Sequence, residues 1–240
     1  MGRDWIRDLR NGRPVLLLDS EDREGETDIV VHAPQVTPWH IRFMRKFGGG
    51  LICIALHPSL AEELGIPFLT EIFKSVAREY EVLNHLTPYD IPYDEKSSFS
   101  ISINFRGTFT GISDRDRAMT IREFGKLCEK ISLGLEGKES FGRNFRSPGH
   151  VPILRGAESL LDERRGHTEL SIAMAEISKL SPVTAICEML EPDGDGSLSP
   201  REAEKFSEKM GLKFLRGEEV VEEWFKRGRR IEDEEESGAS

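Results

Sequence analysis

The chain is short of cysteine, of long apolar runs and of positive charge, and each shortage removes a class of protein. Its three cysteines, Cys53, Cys128 and Cys187, lie far apart with no Cys-x-x-Cys pair, so neither a zinc finger nor a disulfide framework is expected. The longest apolar stretch, Leu51 to Leu56, falls far below the roughly 20 residues that span a bilayer. The start, Met1-Gly2-Arg3-Asp4-Trp5, lacks the apolar core of a secretory signal. A protein of the reducing cytoplasm with no membrane partner is therefore expected. Lysine and arginine total 33 against 43 aspartates and glutamates, a formal net charge of -10. Long-range electrostatics then favour cations and disfavour nucleic acid as a partner. Glycine-rich phosphate loops are missing too: Gly48-Gly49-Gly50 fits neither GxGxxG nor GxxxxGK and reads as the stop after a helix. Asp193-Gly194-Asp195-Gly196-Ser197 has Leu198 where a calcium loop needs its glycine, so it reads as a turn.

What is present is an interleaving of strand and helix patterns over 240 residues, enough for one sizeable core. Strands are predicted at 14–19, 26–33, 51–56, 98–105, 183–190 and 213–215, from apolar runs or period-two alternation. Helices are predicted at 3–10, 38–47, 59–65, 71–83, 113–133, 168–180, 200–210 and 217–227. Thr37-Pro38 is a cap followed by proline at the first helical position, and Gly65 is a terminator. The Gly/Pro/Arg-rich stretch 142–152 reads as a loop. Such interleaving predicts an α/β (α+β) layered single domain, a mixed sheet flanked by helices, over residues 1–228. The tail 229–240 is acidic and apolar-poor and is expected to be disordered.

The densest chemistry is Ser20-Glu21-Asp22-Arg23-Glu24-Gly25-Glu26-Thr27-Asp28, five carboxylates around one arginine directly after the apolar Val15–Leu18. In an extended segment Glu24, Glu26 and Asp28 share a face, where a cation or a polyol could relieve their repulsion. Four further segments combine reactive groups: Thr108–Ser113 with Thr110, Asn144–His150 with Ser147 and His150, Arg164-Arg165-Gly166-His167-Thr168 before a helix, and Glu188 inside an apolar strand. Two arginines beside a helix start make a plausible phosphate cradle. Each has a blander reading as a solvated turn, a surface histidine or an arginine pair in water. Cys53 is most simply a small buried hydrophobe.

Taken in order, six segments resemble the 3,4-dihydroxy-2-butanone 4-phosphate synthases of riboflavin biosynthesis over residues 10–225. They are Asp22–Asp28, Gly50-Leu51-Ile52-Cys53, Thr110–Ser113 with Asp116-Arg117, Arg146–Val151, Arg165–Glu169 and Ile186-Cys187-Glu188. Residues 66–97 are longer than the compact bacterial pattern and resemble archaeal members. The resemblance implies conversion of D-ribulose 5-phosphate to L-3,4-dihydroxy-2-butanone 4-phosphate plus formate with Mg²⁺ (or Mn²⁺), two ions per site, in a homodimer with sites near the subunit interface. It implies Glu24 and His167 as metal ligands, and catalytic roles for Glu24, Asp28, His150 and Glu188, with Cys53 left open between catalysis and packing. Substrate contacts are implied for Arg23, Glu24, Asp28, Thr110, Ser147, His150, Arg164, Arg165, Gly166, His167, Thr168 and Glu188. The competing reading is a nucleotide- or RNA-binding protein of the related threonylcarbamoyl-adenylate synthase fold, which would call for a basic groove.

Overall fold

Four consecutive apolar residues stay dry on both faces only when helices cover both sides of their strand. That is the setting of β1 (Val15–Leu18), buried throughout, in the computed structural model, which describes residues 4–86, 90–92, 94 and 96–238. Six more strands complete one sheet: β2 (Thr27–His32), β3 (Cys53–Leu56), β4 (Phe99–Phe105), β5 (Phe145–Arg155), β6 (Val183–Glu188) and β7 (Lys213–Arg216), in the order β4-β5-β3-β6-β2-β1-β7. The pairs β1·β7 and β3·β5 are parallel and the remaining neighbours antiparallel, so the sheet is mixed.

Period two then sorts the strand residues between two cores. Leu16, Leu18, Ile29 and Ile54 join α2 (Pro38–Phe47), α6 (Asp114–Ser132) and α9 (Pro200–Met210) on one face. Val15, Leu17, Val30 and Ile186 join α1 (Asp4–Arg10), α8 (His167–Ile177) and the start of α10 (Gly217–Gly238) on the other. Each buried leucine or isoleucine contributes about 1.5–3 kcal/mol, and the resulting helix–sheet–helix sandwich is the predicted fold class. Among the described residues no helix is long and apolar enough to cross a membrane, and all three cysteines are free thiols.

Several expectations about elements change. The stretch 142–152, expected as a loop, is α7 (Lys138–Asn144) followed by β5. Pro148 and Gly149 hide the strand in sequence. Gly149 lies so close to its neighbour that an added Cβ would come 2.0 Å from Ile103 C, and the β4·β5 ladder shifts register beside it. Long-range pairing, not local propensity, makes this strand. The helix expected at 71–83 is two short ones, α4 (Leu69–Val76) and α5 (Val82–Leu86). No residue of either is in the buried class, and a helix without a packed face gains little from propagating. Its first turns close where Glu79 and Tyr80 N–H both bond Val76 O. Around α3 (Pro58–Leu64) the cap is His57, whose Nδ1 accepts from Ser59 N at 3.1 Å, and Gly65 ends the helix at φ +67. The last helix runs past 227 to Gly238, so the segment expected to be disordered is helical that far. Glutamate and arginine are good helix formers, and no proline interrupts them.

Candidate active site

Three neighbouring central strands reach the same sheet edge. In register, Asp28 at the start of β2 faces Glu188 at the end of β6, and Cys53 at the start of β3 faces Ile186. The β1–β2 turn arrives at that edge and is folded around Asp19, whose buried carboxylate accepts from Glu24 N at 3.2 Å and Glu26 N at 3.1 Å. The first turn of α8 closes the other side, with His167 and Thr168 at its start. Between them lies a cavity of about 280 Å³. Its polar wall is Glu24, Glu26, Asp28, Asp94, Lys96, Ser97, Ser98, Arg164, His167, Thr168 and Glu188; Cys53, Leu51, Phe99, Leu154 and Ile186 are among the less polar lining. The strand begins only at Thr27, so Glu24 and Glu26 reach the cavity from the turn and Asp28 from the strand.

The histidine is the pivot. His167 Nδ1 lies 3.3 Å from Glu24 Oε2, while Nε2 lies 3.0 Å from Glu26 O and 3.8 Å from Asp28 Oδ1. Oxygen acceptors at both nitrogens suit an imidazolium that donates twice. Burial opposes that charge, but Asp28, the hydrogen bond to Glu24 and the charge of Asp19 carry the group up to about 9. Burial pushes Asp28 up to about 7, His167 opposing and Glu188, Glu24 and Glu26 adding. Burial also raises Glu188, with Glu26 adding. Glu24 feels the same burial, yet His167, Arg23 and Arg164 bring it below the ordinary carboxylate value. Neighbouring carboxylates thus differ in proton affinity, which acid–base chemistry at neutral pH requires.

The folded, metal-free chain holds protons on Asp28 and His167 that the unfolded chain releases at lower pH. Both folded values are raised, so each contribution is full below the unfolded value and is lost as pH rises through the folded one. The windows are 3.8 to about 7 for Asp28 and 6.5 to about 9 for His167. In EDTA the thermal midpoint is expected to drop by several degrees between pH 6.5 and 9. Mg²⁺ should restore it by taking the place of the departed positive charge. A midpoint flat in pH and indifferent to Mg²⁺ would contradict this electrostatic account.

Glu188 is held by the glycine run after α2. Gly49 N donates to Glu188 O at 2.7 Å, and Leu51 N approaches Glu188 Oε1 at 3.4 Å. A Cβ on Gly49 would come 2.2 Å from Oε1, and one on Gly48 would come 2.7 Å from Glu188 O. The run first read as a helix stop is therefore also the floor on which the carboxylate rests. Cys53 lines the cavity, but burial and then the charges of Glu188 and Asp28 push its thiol well up, so it stands as a neutral thiol and a weak nucleophile. Cys53→Ser is expected to keep its turnover within about three-fold of the parent; a hundred-fold loss would give the sulfur a chemical role.

Other predicted site residues are dispersed. Arg23 braces the turn, bonding Glu24 at 3.0 Å and Asp94. Arg164 reaches the same Asp94 and the buried Glu169. Gly166 permits this crowding, because its Cβ would meet Arg164 Nη1 at 2.6 Å and Arg23 Nη1 at 2.7 Å. Arg165 turns away from the cavity: its Nε donates to Leu161 O at 3.2 Å and its guanidinium lies over the Phe225 ring. Thr110, Ser147 and His150 do not line the cavity either. Thr110 is tied to Asp116, Ser147 Oγ donates to Ser102 O at 2.8 Å, and His150 Nδ1 lies 3.0 Å from Asn104 Nδ2, all on exposed residues. Glu26 enters the site as the alternation of 24, 26 and 28 suggested, whereas Asp19, Asp94, Gly49 and Glu169 were not expected there. These four depend on contacts remote in sequence.

The donor set fits a divalent ion. Ligand atoms of Asp19, Glu24 and His167 lie within 4.8 Å of one another. Asp19 already accepts from two backbone N–H groups, so Glu24 and His167, a hard oxygen and an imidazole, are the side chains best placed to hold a divalent ion. The five carboxylates in the wall outnumber Lys96, Arg164 and His167, so a bound cation would also relieve their repulsion.

Fold and site together define a small-molecule enzyme of acid–base type. A family profile, 3,4-dihydroxy-2-butanone 4-phosphate synthase, matches residues 3–223, and the chain belongs to that family. Archaeal relatives described as that synthase come from Methanothermobacter thermautotrophicus, 45% identical over 93% of this chain and 96% of that protein, and Archaeoglobus fulgidus, 46% identical over 92% of each. Among solved structures, the synthase in complex with two magnesium ions superposes with a TM-score of 0.70 at 28% identity, over 91% of this chain and 93% of that one. A cation-free form superposes with the same TM-score at 27% identity, over 93% and 96%.

Proposed function

We propose that this chain converts D-ribulose 5-phosphate to L-3,4-dihydroxy-2-butanone 4-phosphate and formate, the four-carbon step of riboflavin biosynthesis, with Mg²⁺ or Mn²⁺ bound through Glu24 and His167, two ions per site, in the cytoplasm. One observation carries the reading: a histidine held between Glu24, Glu26 and Asp28 in a cavity that also presents Glu188 and the Arg164 guanidinium. The bound cation supplies Lewis acidity toward the substrate's oxygens and stabilises negative charge developing on them.

The side chains divide the remaining work. Arg164 and Thr168, with Arg23 behind them, hold the phosphate end. Asp28, raised to about 7, takes and returns a proton near the α-carbon, because a group titrating near ambient pH can do both. Glu188, also raised and fixed over Gly49, serves the later proton transfers. Leu51, Phe99, Leu154 and Ile186 form the apolar part of the wall, limiting water around the reacting carbons. An acidic cavity on a chain of net charge -10 suits a cation-bound sugar phosphate and not the basic groove of the nucleotide- or RNA-binding alternative.

Thr110, Ser147 and His150 act in this reading through a homodimer, in which a second copy brings them to the cavity. Its support is the apolar surface beside Thr110, where Phe109 is 95% and Ile112 53% exposed. A one-chain mass by light scattering at active concentrations would reject the dimer. The activity itself is tested by incubation with ribulose 5-phosphate and Mg²⁺, scoring formate with a formate dehydrogenase. Formate no higher than in EDTA would defeat the assignment.

A further inference from the structure

Arg164 faces the cavity from a short loop between the helical turn Leu160–Asp162 and α8. A guanidinium recognises a phosphate well only when its planar fork is aimed, since two of its N–H groups must align with two oxygens. The aim comes from Glu169. This residue is completely buried, lies in the first turn of α8 and takes no part in the cavity wall. Both its oxygens are committed: Oε1 accepts from Ala157 N at 3.0 Å, and Oε2 accepts from Arg164 Nη1. Ala157 is itself anchored through its neighbour, for Gly156 N donates to Leu56 O at 2.9 Å at the end of β3. The carboxylate therefore ties Arg164 to two rigid elements, the start of α8 and the end of β3. The other anchor of the guanidinium, Asp94, lines the cavity. Glu169 is the partner that a ligand entering the cavity leaves undisturbed.

We infer that Glu169 is a positioning residue for the phosphate end of the substrate, holding the Arg164 guanidinium aimed into the cavity while never touching the ligand. The inference rests on the ribulose 5-phosphate reading of the site. Glutamine at 169 keeps the acceptor for Ala157 N but loses the charge, and can turn an amide N–H toward Arg164 Nη1, so it loosens the arginine while sparing the anchor to the sheet.

The test compares the full-length parent and Glu169→Gln by calorimetric titration with ribulose 5-phosphate and by steady-state formate release with Mg²⁺. The Kd and KM are expected to rise about ten-fold, with kcat within about two-fold, because the lost interaction holds substrate and transition state alike. A purely structural lesion would instead lower the fraction of binding-competent protein and kcat, leaving Kd and KM in place, and that result would overturn the inference. In an Arg164→Lys background the same change should add less than about two-fold, since the two residues act as a unit. Independent, multiplicative effects would also overturn it. If the glutamine variant does not fold, Glu169→Asp keeps the charge but falls one methylene short of spanning both partners. It should raise Kd in the same way, and a parental Kd would count against the assignment. A parent that binds ribulose 5-phosphate yet releases no formate would defeat the activity and leave the positioning role testable by Kd. A parent that does not bind it would defeat both.

Discussion

Replacing Glu24 by Gln is expected to lower formate release by about three orders of magnitude and to abolish the rise in thermal midpoint that Mg²⁺ gives the parent. Glutamine preserves the shape of the side chain but removes its charge, and a neutral amide is a poor ligand for a hard cation. Three cationic groups act on the carboxylate: His167 Nδ1 at 3.3 Å, Arg23 Nη1 at 3.0 Å and, through space, Arg164. Stabilising the charge that develops on substrate oxygens is worth several kcal/mol, and each 1.36 kcal/mol is a factor of ten, hence about three decades. The fold should survive, because the carboxylate that shapes the turn is Asp19, not Glu24. Turnover at saturating substrate and Mg²⁺-dependent melting are the two measurements. A Glu24→Gln enzyme within ten-fold of the parent would remove this residue from the metal site.

Gly49→Ala should cost about a hundred-fold in kcat without removing a single reactive group. The added methyl would lie 2.2 Å from Glu188 Oε1, 2.9 Å from its carboxyl carbon and 2.7 Å from Leu190 Cδ1. All are well inside van der Waals contact, so the carboxylate must move by about 1 Å or more. A displacement of that size at a reacting group costs about 10² in rate. Leu190 is exposed and can yield, which lets the chain fold around the new methyl. The predicted signature is a depressed kcat with Mg²⁺-dependent melting like the parent's, since Glu24 and His167 are untouched. Parental kcat would mean that Glu188 does not need its present position.

The features legible in the sequence are those that depend on near neighbours in the chain. The buried run Val15–Leu18, the Thr37-Pro38 start of α2, the Gly65 stop of α3 and the long α6 all follow from apolar period, caps and terminators, and each lies where expected to within a residue or two. The acidic turn was also visible, and so was the convergence of Glu24, Glu26 and Asp28. Six ordered motifs pointed to the family that the profile and the archaeal relatives bear out.

The remaining features depend on partners far away in sequence. β5 is a strand because β3 and β4 lie on either side of it, although Pro148 and Gly149 argue locally for a loop. Gly49 matters because Glu188 comes to rest on it, and Glu169 because Arg164 and Ala157 meet on its carboxylate. The proton affinities of Asp28 and His167 are tertiary in the same sense. A carboxyl at the start of β2 climbs to about 7, and an imidazole at the start of α8 to about 9, because folding removes their water and sets them 3.8 Å apart. The acidic turn, the apolar strands around it and the helix that carries His167 were legible locally, since composition, period and capping are local properties. The separation, burial and mutual charge that make their side chains a site arose only when the sheet brought β2, β3 and β6 to one edge under α8.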